Sequence, residues 1–170
     1  MNEMEKAGPS TSEEEDAALE VGASVWRRVD RATAIYRASK IQRVKIVKKG
    51  VPARYAGVLA AGMRISKDKL YSTVGLPRAT VDRKVRANRR LNLDESERVI
   101  GIARLVGQAQ SMVQESGGPP DFDSAKWLAE WLDRPLPALA GRRPAEFMDT
   151  AEGRALVSDL LAQQQSGAYA

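Results

Sequence analysis

The 170-residue chain contains neither cysteine nor histidine. The first absence excludes disulfides, thiolate metal sites and a cysteine nucleophile; the second removes the commonest general base and the commonest metal ligand. No window approaches the roughly 18 uninterrupted apolar residues that a membrane-spanning helix needs, and the acidic start lacks the basic-then-apolar order of a signal peptide. A cytoplasmic protein that is not an enzyme and carries no metal or cofactor is the expectation. Glycine-loop chemistry fails too: Gly57 and Gly62 have phosphate-loop spacing, but Met63 and Arg64 follow where Lys and Ser/Thr are required. Asp121, Asp123 and Glu130 are too few and wrongly spaced for a calcium loop. Alternating β patterns are nearly missing as well. The one β-branched cluster, 44–47, is interrupted by Lys45 and met by Lys48, so an all-α fold is predicted.

What is present is charge, unevenly placed. The net +5 resolves into three parts: −6 over residues 1–20, +16 over residues 21–92 and −5 over residues 93–170. Residues 1–22 combine Gly8, Pro9 and Ser10 with a Glu/Asp run and few apolar groups, and read as a disordered acidic tail. Residues 23–92 form a basic module and residues 93–170 an acidic one.

In the basic module, helices are expected over 25–38, 41–48, with Gly50 as a C-terminal cap, and 52–63, where Tyr55, Val58, Leu59 and Met63 recur at helical spacing. The informative segment is 65–88. Ser66 is a good N-cap, Leu70 and Val74 lie one turn apart, Gly75 suits a left-handed turn, Leu76 can plug it, and Pro77 opens a second helix facing inward through Val81 and Val85. These are the parts of a helix-turn-helix. At 100° per residue from Val81, the positions Ala79, Arg83, Arg86 and Arg90 fall opposite, flanked by Arg78, Thr80 and Lys84. Such a helix offers bidentate donors to guanine edges and point charges to phosphates. Arg78, Thr80, Arg83, Lys84 and Arg86 are therefore the candidate DNA-binding residues, with an ordinary solvated basic face as the alternative. Tyr71 is bulky for a position where such units usually hold a small residue.

The acidic module opens with Asp94 and Glu97 in capping-box spacing and a stripe of Val99, Ile102, Val106, Ala109 and Val113. Gly117 to Pro120 ends that helix. A short helix capped by Asp123 or Ser124 carries Trp127 and Trp131, core residues by periodicity and otherwise a contact surface. Pro144 starts another helical turn, and Thr150 caps a final helix with Leu156, Val157, Leu160 and Leu161.

Several stretches together resemble the toxin-binding domain of Xre/ParS-type antitoxins: Asp94 to Val99, Trp127 to Pro135, Ala138 to Pro144 with Phe147 and Met148, and Gly153 through Leu161 to Gly167-Ala168-Tyr169-Ala170. The basic module is similar to that family's Xre-like helix-turn-helix domain. In two places the chain departs from the pattern: Leu136 sits where Asn is frequent, and Ala140 replaces the first of a usual Gly pair. The resemblance implies an antitoxin that pairs with a RES-domain toxin consuming NAD, or alternatively with a related ADP-ribosylating toxin. It also implies that Gly167, Ala168, Tyr169 and Ala170 enter the toxin's active-site cleft, that the helix-turn-helix represses the operon's own promoter DNA, and that the antitoxin is a homodimer within a larger toxin–antitoxin complex. A stand-alone transcription regulator with a C-terminal dimerisation domain is the competing reading.

Overall fold

The computed structural model describes residues 31–165. The acidic tail, the first part of the helix expected from residue 25, and the C-terminal Gly167 to Ala170 lie outside the described residues. The remainder is helical, as expected. The elements are α1 (Arg31–Arg37), α2 (Lys40–Lys49), α3 (Arg54–Gly62), α4 (Lys67–Val74), α5 (Arg78–Arg86), α6 (Leu93–Glu115), α7 (Ser124–Leu132), two 3-10 turns (Pro137–Leu139 and Pro144–Phe147) and α8 (Ala151–Gln165).

Local chemistry sets most boundaries. Ser39 and Gln42 form a reciprocal capping box at the start of α2, and Gly50 ends that helix at φ 83°. The helix after Pro52 begins two residues later than predicted, because Pro52 is held in an antiparallel bridge to Arg90 and Ala53 stands at the N-cap. Gly57 and Gly62 lie within α3, which has no phosphate-loop geometry. Thr150 accepts from the Gly153 amide at 3.0 Å and starts α8. The start of α6 also differs from expectation. Asn92, not Asp94, is its cap, paired with Glu95 in a capping box. Both spacings occur in the sequence, and register decides between them: Ser96 must face inward, where it accepts from the Val51 amide at 3.0 Å.

α6 is the axis of the molecule, with α1, α2, α3, α4, α7 and α8 all packed against it. Val99, Ile102, Ala103, Leu105, Val106 and Ala109 supply its buried side. At Gly107 the α1 backbone comes so close, through the Ala32 carbonyl, that any β-carbon there would collide with it. Gln108 and Ser158 exchange hydrogen bonds of 2.9 and 2.8 Å in both directions between α6 and α8. One continuous apolar core results, running from Ala32 to Leu161.

Candidate DNA-reading helix and toxin-binding module

The helix-turn-helix is built as its residues demand. Ser66 accepts from the Lys69 amide at 3.0 Å. Gly75 adopts the left-handed conformation (φ 68°, ψ 34°) between α4 and α5. Leu76 plugs the turn and Val81 is fully buried beneath α5, while Val85 is only half-buried. Tyr71, despite its size, is buried. Burial first, and then the neighbouring Asp82 carboxylate, raise its pKa, so the phenol stays protonated at neutral pH.

The five candidate DNA-binding residues occupy three environments. Arg83 and Arg86 are exposed, with no carboxylate at ion-pair distance among the described residues. Thr80 is half-exposed beside them. Arg78 is exposed but bridges α4 and α5, pairing with Asp68 at 2.8 Å and Asp82 at 3.7 Å. Lys84 turns away from solvent: its ammonium is paired with Glu95, whose side chain is only 3% exposed. Glu95 also accepts from the Asn92 amide at 2.8 Å. Lys84 thus fastens α5 to the first turn of α6, a partnership the charge pattern did not reveal. Arg90 leaves the outer stripe altogether, since α5 ends at Arg86 and the Arg90 guanidinium donates to the Gly50 carbonyl at 2.5 Å.

A guanidinium forms the most-connected polar link between the C-terminal module and this unit. Arg98 on α6 donates to the Val74 carbonyl at 3.1 Å and the Asp149 carbonyl at 2.7 Å, and pairs with Asp94 at 3.0 Å. It therefore satisfies a carbonyl at the C-terminus of α4 and ties it to the loop entering α8. Lys69 to Asp133 (2.9 Å) and Arg64 to Asp123 (3.0 Å) add surface pairs across the same seam. Trp131 is core and Trp127 half-buried, their rings stacked with centroids 6.3 Å apart. Between α7 and α8 the chain makes an exposed loop closed by a bridge from Leu136 to Arg142. Ala140 there adopts the left-handed conformation at φ 53°. Arg142 lies 4.6 Å over the Phe147 ring and, with Arg143, pairs with Glu146; the Arg143 amide and the Arg142 side chain hold the Glu146 carboxyl below its usual pKa.

No group of His, Cys, Asp or Glu among the described residues can hold a metal ion, and no helix there is long and apolar enough to cross a membrane. Fold and site define a helix-turn-helix protein with a second helical module locked against it. The chain belongs to the Xre-type antitoxins, which are not enzymes. Residues 42–104 match the antitoxin Xre-like helix-turn-helix domain, and residues 122–167 the antitoxin Xre/MbcA/ParS C-terminal toxin-binding domain. The chain is 45% identical, over 81% of its own length and 86% of the other's, to a Prs ADP-ribosylating antitoxin of Sphingobium sp.. It is also 29% identical to an Antitoxin Xre of Yersinia enterocolitica (62% and 66% covered) and 26% identical to one of Pseudomonas putida (54% and 52%).

Proposed function

We propose that this antitoxin neutralises an ADP-ribosylating toxin by occluding its NAD-binding cleft, and represses its own promoter through α5. The observation that carries the reading is the 45% identity to a Prs ADP-ribosylating antitoxin, which spans both modules. It favours ADP-ribosyl transfer over the RES-type NAD consumption that is the other expectation from the sequence.

The C-terminal residues suit the occluding role chemically. Tyr169 brings a rigid aromatic with one polar handle, and a glycine at 167 would permit the chain to turn away from α8. On the DNA side, Arg83 and Arg86 are exposed near Thr80, with no carboxylate at ion-pair distance among the described residues. Paired operator half-sites call for a dimer.

Co-expression with the product of the neighbouring toxin gene tests both parts. Truncation after Gly167 should leave the complex intact in a pull-down while toxicity returns in part, and Tyr169→Ala should show a milder version. Labelled NAD then identifies the chemistry: label transferred to protein supports ADP-ribosylation, whereas NAD loss without transfer points to a RES-type enzyme. Full neutralisation by the truncated chain would place inhibition on another surface.

A further inference from the structure

A groove of about 540 Å³ runs between α2, α6 and α8, away from α5. Its floor is apolar, with Val44 and Val47 from α2, Ile100 from α6 and Ala155 from α8. The rim is cationic. Lys40, Lys48 and Arg104 are exposed there, with no carboxylate at ion-pair distance among the described residues. Among the described residues lining it, Glu97 and Asp159 are the only acids, against five cations. Of its lining residues, Val44 is 52% and Leu93 58% exposed, and Ile41, next to Lys40 in α2, is 70% exposed. Isolated exposed apolar residues are ordinary; two large ones lining one concave, mostly apolar surface mark an interaction site.

Charge selects the occupant. A second copy docked here about a two-fold axis would bring two cationic rims together in an interface with little water, a costly arrangement. An acidic, amphipathic helix complements both the floor and the rim. The α8 wall lies within the residues matched as toxin-binding domain, and the α2 wall from Arg43 to Lys48 within those matched as helix-turn-helix domain.

We infer that the toxin seats an acidic amphipathic helix in this groove, touching α2 as well as α8. The inference rests on the toxin-neutralising reading above and extends it to the DNA-binding half of the chain. Bound there, the toxin contacts the helix that follows α1 directly and packs on the same axis as α4, so toxin occupancy and the placement of the helix-turn-helix become linked. The linkage is reciprocal: promoter DNA should then alter toxin affinity by the same factor that toxin alters DNA affinity.

The test uses the full-length antitoxin and the neighbouring toxin, inactivated so that it can be purified alone. Val44→Glu with Lys48→Glu places two anions in the groove at exposed positions. Toxin affinity by calorimetry should fall at least tenfold and lose salt dependence, while the thermal melt and promoter affinity of the free antitoxin stay as in wild type. Lys40→Glu with Arg104→Glu, both at exposed sites, is the second variant should the first fold poorly, and should weaken binding in the same direction. Unchanged toxin affinity in a folded variant overturns the inference, as does loss of self-association in sedimentation with toxin binding retained, which would assign the groove to a second copy. Failure of the wild-type chain to bind the toxin at all would instead overturn the proposed function.

Discussion

Two residues in the left-handed region show how a single β-carbon changes sign with context. At Gly75 an added β-carbon would sit 2.6 Å from the Arg98 guanidinium, on top of a φ of +68°. Gly75→Ala should therefore cost about 2–3 kcal/mol in chemical denaturation, from backbone strain plus displacement of the Arg98 bonds to Val74 and Asp149. Ala140 already bears that strain, at φ 53° in a loop whose next residue, Gly141, has open space around it. Ala140→Gly should stabilise the protein by about 0.5–1 kcal/mol, the relief of left-handed strain exceeding the added freedom of the unfolded chain. A loss of stability in that variant would mean that the alanine methyl makes a contact worth more than the strain. The substitution at position 140 was visible in the sequence, but its backbone conformation was not, since three non-glycine residues among those described take positive φ and no common pattern flags them.

At the scale of elements, α5 separates two roles that look identical as a string of basic residues. Arg83→Ala with Arg86→Ala should weaken promoter binding by about 1–3 kcal/mol per lost base contact and flatten the salt dependence, with the melting temperature unmoved. Lys84→Met should do the reverse. It leaves Glu95 buried without its cation, for a cost of about 2–3 kcal/mol seen in denaturant melts, with toxin binding at low temperature preserved. The turn signals of the helix-turn-helix were legible because each is local: Ser66, Gly75, Leu76 and Pro77 act within a few residues of themselves. Burial of Lys84 was illegible because Glu95 lies eleven residues away across a turn, and helical periodicity places Lys84 only by angle, not by neighbour. The same limit moved Arg90, whose position depends on a bridge to Pro52, and shifted the α6 cap from Asp94 to Asn92. For the C-terminal module, the resemblance drew on scattered motifs; Arg98 belongs to the first of them, yet the carbonyls that it clamps, those of Val74 and Asp149, lie in none.

For the whole molecule, the charge division of the sequence does not become a mechanical division. The basic and acidic segments share one core, and α6, about 34 Å long at 1.5 Å per residue, supports both. Unfolding by heat or denaturant should accordingly be a single cooperative transition, with the environment of Trp127 and Trp131 and the helix signal changing together. Two separated midpoints would show that the halves melt independently. In a cell, a single transition bears on how the antitoxin disappears. A protease that engages either end and pulls must break the same central helix, so no surviving half would hold the promoter while the toxin goes free, nor hold the toxin while the promoter opens. Degradation of each copy would end repression and neutralisation in one event, and the two activities would share one half-life.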